Sequence, residues 1–192
     1  MPGSTIHLMF ANMIDENAPI EYFAGSILID AVDDYHLKDK THFRKRDDRF
    51  SAMCEYFRTL SDTQFNRGIM THLYLDWRWD SCELNRFIEE YGDGWFVPYR
   101  ADIARLSRHF SNSVPWIREL WQRLYDLPTD RYGEIPMATT EDARRFMENG
   151  YASLSKPSEP TKFFHPDQAE HFLKMAALEY PQFIEEHIKC KK

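Results

Sequence analysis

Nowhere in this chain do apolar and polar residues alternate with a period of two for long enough to build a strand, whereas apolar residues recur at helical spacing along its length. That pattern confines the fold to packed helices. Ser4 stands where it can cap a first helix whose stripe is Ile6, Met9, Phe10 and Met13. Ile20 to Val32 is largely apolar around Gly25 and reads as a buried helix, because no partner strand is in sight. Asp33 to Asp48 is polar and charged, a long loop of the kind that often carries function. Helices are predicted from Asp48 to Leu60, from Thr63 to Trp79, and from a cap at Ser81 to Tyr91, where Gly92-Asp93-Gly94 breaks the run. Beyond it, Ala101 to Asn112 and Trp116 to Leu127 read as helices separated at Pro115. A loop holding Pro128, Gly133 and Pro136 leads to a helix opened by Thr140, Glu141 and Asp142 and running to Leu154. Residues 155–162, with Lys156-Pro157-Ser158-Glu159-Pro160, form a linker before a last helix from Pro166 to about Ile188, bent at Pro181. The expectation is one all-α domain over residues 1–192, a multi-helix bundle; 192 residues suffice for a substantial core.

A net charge of −7 argues against a partner held through phosphate contacts, so no nucleic acid is expected by charge. No apolar run approaches the ~20 residues of a membrane span. The opening MPGSTIHLMFANMIDEN has no basic stretch ahead of an apolar one, and Cys54, Cys82 and Cys190 form no CxxC pair. A cytoplasmic setting with reduced thiols is expected.

The sharpest chemical feature is Thr71-His72-Leu73-Tyr74-Leu75-Asp76-Trp77 in the long predicted helix. His72 and Asp76, at i and i+4, share one helical face. Their neighbours are apolar, and a carboxylate in such surroundings is costly unless it is paired or holds a cation. One imidazole and one carboxylate on a rigid helix supply half of a zinc, manganese or iron site. Three further residues have the right chemistry. Asp30 ends the apolar Ser26-Ile27-Leu28-Ile29 segment, His42 lies in the polar loop, and His7 sits on or beside the stripe of the first helix. Each also has an ordinary reading, as a helix-terminal acid, a solvated loop residue and a hydrogen-bonded core histidine.

The ordered set STIH, GSILIDAV, KTHF and MTHLYLDWRW resembles the zinc-dependent phospholipase C family, in particular its small bacterial phospholipase C-like members. The resemblance covers roughly residues 1–80, and its specificity lies in the order and spacing of the elements. It implies a phospholipase C-like helical fold with Asp30, His42, His72 and Asp76 as the main Zn²⁺ site. Asp76 would bridge to a second ion near His7. The family's further HxxxE pair is not found after Asp76, so one or two metal ions are implied rather than three. The implied activity is hydrolysis of a small-molecule or lipid phosphoester by a metal-activated water, with Asp30 or Asp76 orienting that water or acting as general base. Mn²⁺ or Fe would also suit the donors. The alternative is a non-catalytic helical binding or structural module whose metal holds the fold together.

Other residues are weighed and set lower. Asp33, Asp34 and His36 could support the ligands but read better as solvated loop. Asp80 could join the face of Asp76. Trp77, Trp79, Trp95 and Phe96 could wall a pocket, with core packing the default. Arg44, Lys45 and Arg46 could draw a phosphate-bearing substrate. His109, His165, His171 and His187 receive no role.

Overall fold

The computed structural model describes residues 2–32 and 34–189, and these form helices and turns with no strand among them. Asp33, weighed above as a support for the ligands, and the thiol Cys190 lie outside the described residues. Ten α-helices follow one another: α1 Ser4–Ile14, α2 Ile20–Leu28, α3 Tyr35–Thr41, α4 Arg49–Thr59, α5 Gln64–Trp79, α6 Asn85–Tyr91, α7 Phe96–Ser113, α8 Pro115–Tyr125, α9 Thr140–Ser153 and α10 Pro166–Ile184. None is long and apolar enough to cross a membrane.

The all-α reading holds, and the departures from the predicted elements have local causes. Gly3, not Ser4, caps α1, its carbonyl accepting from the amides of Ile6 and His7. The predicted loop contains α3, because the Asp34 carboxylate accepts from the Leu37 amide and starts a helix that composition alone disguises. Asp80–Leu84 is a π-turn that carries α5 into α6 without a break, so Ser81 caps nothing and instead donates to the Trp77 carbonyl. α7 begins at Phe96, five residues before the predicted Ala101, since Pro98 fits the first turn of a helix. Thr139 caps α9 in a reciprocal box with Asp142. α10 runs through Pro181 and ends in a second π-turn, Glu185–Lys189.

Two glycines set the centre of the fold. A Cβ on Gly25 would lie 2.0 Å from the Phe65 carbonyl oxygen, and one on Gly68 would lie 2.0 Å from that of Tyr22. Helices α2 and α5 therefore meet backbone to backbone, closer than any side chain would permit. α1 and α10 pack on this pair. Of the aromatic residues weighed as pocket walls, Trp79 belongs to the core, Phe96 is half exposed, and Trp77 lines a surface cleft with Phe50, Tyr74 and Phe183. Trp79 is fully buried and donates to the Tyr99 hydroxyl at 3.0 Å, and the Trp77 ring packs 4.9 Å from Phe50. The linker is tied back where the buried Asp102 carboxylate accepts from the backbone amides of Lys162, Phe163 and Phe164 at 2.6–2.9 Å.

Candidate metal centre

The five predicted ligands converge. α5 presents His72 and Asp76, α1 presents His7, the 3₁₀ turn Ile29–Ala31 after α2 presents Asp30, and His42 caps the C-terminus of α3. All five are buried, Asp76 completely and Asp30 the least at 9% exposure. The donor atoms of His42, His72 and Asp76 lie within 4.8 Å of one another, as do those of His7, Asp30 and His72.

Backbone contacts fix the direction of each imidazole. The close α2–α5 approach brings the Ser26 carbonyl to 2.8 Å from His72 Nδ1, which must donate to it. His42 Nδ1 likewise faces the Lys38 carbonyl at 2.9 Å, with the Thr41 hydroxyl, itself donating to that carbonyl, at 2.8 Å. In neutral rings both protons are then on Nδ1, and both Nε2 atoms carry lone pairs. Those two Nε2 atoms face each other at 3.1 Å. Two bare lone pairs at that separation in a buried site repel, and a shared cation removes the repulsion. Outer carbonyls that fix ring orientation in this way are the usual second shell of a metal-bound histidine.

Distances among the donors test whether an ion fits. His42 Nε2 is 3.3 Å from Asp30 Oδ1 and 3.6 Å from Asp76 Oδ2, and His72 Nε2 is 3.9 and 3.8 Å from the same two oxygens. Zinc bonded to nitrogen and oxygen at about 2.0–2.2 Å puts neighbouring tetrahedral donors about 3.3–3.5 Å apart. Each imidazole paired with one carboxylate oxygen is within a few tenths of an ångström of that spacing, but the donors gather within 4.8 Å as two sets of three rather than one of four: His42 and His72 with Asp76, and His72 and His7 with Asp30. His7 belongs to the second of these sets. Its ring stacks on His72 at 3.7 Å and 8°, its Nε2 approaches Asp76 Oδ1 at 3.3 Å, and neither of its buried nitrogens has an aligned hydrogen-bond partner. Asp76 Oδ1 and Asp30 Oδ1 are also without an aligned partner.

Two residues complete the site: Lys38, which the sequence reading did not single out, and Arg44, which it weighed only as a contact for a phosphate-bearing substrate. Lys38 Nζ lies 2.5 Å from Asp30 Oδ1, and Arg44 Nη2 lies 3.1 Å from Asp76 Oδ2. Lys38 is four residues before His42, so once α3 is recognised as a helix their shared face follows. Phe43 adopts φ 56°, and the turn it makes sends the Arg44 amide back to the Asp39 carbonyl at 3.1 Å, bringing Arg44 over the site. The basic run as a whole is not a free patch: Lys45 pairs with Asp39 at 2.7 Å and Arg46 with Asp48 at 2.7 Å. Asp80 pairs with Arg49 at 2.9 Å, and Asp34 is the cap of α3.

Burial opposes ionisation of Asp30, but the Lys38 ammonium, with His72 and His42, outweighs it and holds the carboxyl well below the usual carboxylate range. Burial opposes ionisation of Asp76 too, and the adjoining His7 side chain, 3.3 Å away, is the first counterweight that keeps the carboxyl well below the usual carboxylate range. Burial, reinforced by His7, pushes His72 down to about 3, so its ring is neutral and able to ligate at neutral pH. Two ionised carboxylates and a neutral imidazole are the protonation states that metal binding requires. No protein-family model, curated protein or solved structure matches the chain.

Proposed function

We propose that this chain is a metal-dependent hydrolase of phosphate esters, with Asp30, His42, His72 and Asp76 holding one Zn²⁺ ion and His7 placed to share a second ion with Asp76. The observation that carries the metal is the pair of Nε2 atoms, each ring turned by a carbonyl at its Nδ1, meeting at 3.1 Å beside the carboxylates of Asp30 and Asp76. An N₂O₂ donor set suits Zn²⁺ and also admits Mn²⁺ or Fe. Phosphate esters as the substrate class rest on the motif resemblance to zinc-dependent phospholipases C and on the charge of the centre. With neutral rings, Asp30 and Asp76 are balanced by Lys38 and Arg44, so a divalent ion would leave an excess of two positive charges, favourable to an anionic substrate. A bound ion would supply a water of lowered pKa and would polarise a phosphoryl oxygen. Asp30 is the ligand carboxylate nearest solvent and the better placed to accept a proton from that water. The cytoplasm is the compartment this reading assigns.

A structural metal is the second reading, and burial favours it. Four protein donors would close a tetrahedral shell, and the larger cavities, of about 980 and 650 Å³, are lined by other residues. Metal analysis of the purified protein beside His72→Ala and Asp76→Ala decides first. About one or two equivalents in the wild type and none in the variants is expected; metal retained by both variants sinks the site. Turnover of phosphodiesters by the loaded protein then separates the readings, since a structural metal gives an apo chain that unfolds and a loaded chain that hydrolyses nothing.

A further inference from the structure

The two oxygen atoms aimed at the histidine pair already have cationic partners. Asp30 Oδ1 faces Lys38 at 2.5 Å and Asp76 Oδ2 faces Arg44 at 3.1 Å. These are the same oxygens that lie 3.3–3.9 Å from the Nε2 atoms of His42 and His72. A divalent ion in the centre would compete with Lys38 and Arg44 for the charge of these oxygens. Lys38, His42 and Arg44 all come from α3 and its C-terminal turn, so one short segment delivers a metal ligand and both competing cations. The two cations are also the outermost part of the cluster: Lys38 is 17% and Arg44 16% exposed, against 1% for His42 and His72 and 0% for Asp76. Other acids do not hold them firmly. Asp39 is taken by Lys45 at 2.7 Å and reaches Arg44 only at 3.9 Å.

We propose that Lys38 and Arg44 are exchangeable counter-ions of the centre: an entering divalent ion displaces them from Asp30 and Asp76, and the freed cations bind the phosphoryl group of the substrate. This rests on the metal reading above and deepens it by naming the groups that recognise the anion. The charges balance at each stage. Two carboxylates against one ammonium and one guanidinium sum to zero, and the divalent ion raises the sum to two positive charges facing the more exposed side. A guanidinium fork and an ammonium point charge are the pair of donors a phosphoryl group takes most readily. An ion-filled site therefore attracts the anion, and an empty one is closed by its own cations.

The test measures zinc affinity of the full chain by chelator competition, for wild type, Lys38→Met and Arg44→Met, together with calorimetric binding of phenylphosphonate to the zinc-loaded proteins. Each methionine variant is expected to bind zinc at least about fivefold tighter than wild type, the usual scale of a coupling between two sites. Phenylphosphonate should bind the loaded methionine variants about tenfold more weakly, with Lys38→Arg and Arg44→Lys, which keep the charge but not the donor geometry, falling between them and wild type. Zinc binding by wild type with equal or weaker binding by both methionine variants overturns the exchange and leaves the metal centre standing. Phenylphosphonate binding that is the same in all loaded proteins overturns the anion role. Zinc taken up by the variants but not by wild type supports the competition and overturns the proposed function of the natural chain. Uptake by none overturns both. A variant unfolded without zinc and restored by it supports the exchange; one that zinc does not restore counts against it.

Discussion

Replacing Gly68 by Ala adds one methyl group, yet the structure requires it to disturb both the fold and the metal centre. The new Cβ would sit 2.0 Å from the Tyr22 carbonyl oxygen and 2.7 Å from the Ser26 amide nitrogen, and Cβ atoms essentially never come nearer than 3.0 Å to another heavy atom. Both obstacles are backbone, so α2 and α5 must separate by at least 1.0 Å, the difference between 3.0 and 2.0 Å. Overpacking of this kind costs about 3 kcal/mol at its upper range. Alanine's helix propensity returns about 1 kcal/mol, leaving a net loss of about 2 kcal/mol. For a chain of this size that lowers the melting temperature by about 4–8 °C. His72 is one turn beyond Gly68 on the same face, and its Nδ1 hydrogen bond to Ser26 is 2.8 Å long. Separation by at least about 1 Å breaks that bond, and losing such an outer contact typically weakens metal binding about 10–100-fold. The assay is thermal unfolding by circular dichroism in chelator, followed by zinc titration. Gly94→Ala serves as control, since nothing lies within 4 Å of its new Cβ. A Gly68→Ala protein that melts with the wild type and binds zinc equally well would refute the claim that close backbone approach orients His72.

Three other outcomes follow from the same geometry. Asp102→Ala removes an acceptor from three backbone amides and should cost about 3 kcal/mol, with hydrogen exchange at Lys162, Phe163 and Phe164 rising; persistent protection of those amides would count against the anchor. The metal-free protein should lose stability as pH falls from about 6.5 toward 3, because the unfolded His72 takes a proton at its ordinary value near 6.5 while the folded ring resists until about 3. Asp30 and Asp76 act in the same direction at lower pH, since their folded values are depressed and their stabilisation disappears as they protonate. A single depressed imidazole gives a slope of about 1 kcal/mol per pH unit between pH 6 and 4, read from urea unfolding at each pH; a flat profile would refute a neutral buried ring. His7→Ala should retain about one equivalent of zinc, as His42, His72 and Asp76 stay gathered without it; complete loss would make His7 a ligand of that ion.

The structure shows how far local pattern carries. α5 was visible because apolar residues repeat at helical spacing on both sides of His72 and Asp76, and a helix then puts the i and i+4 side chains together without further information. The burial of Asp76 also followed from its apolar neighbours, whereas Asp30, at the end of an apolar segment, could equally have been a helix-terminal acid. α3 was hidden because its residues are polar and its only start signal is the Asp34 cap, which in a charged stretch looks like any other acid. The missing break after Trp79 has the same origin: Ser81 can cap a helix, but here its hydroxyl bonds to the turn behind it.

By itself the sequence determined the helical class, the faces that become core, and the five side chains with metal-ligand chemistry. The tertiary structure alone decided that those five meet, which ring nitrogens point inward, and that Lys38 and Arg44 hold the carboxylates. The reason is physical. Helical periodicity is local and can be read along the chain, whereas the donors come from α1, the end of α2, α3 and α5, and their separations are fixed by the backbone contact at Gly25 and Gly68. A glycine in sequence says only that a side chain is missing; the opposing helix determines what that missing side chain makes possible.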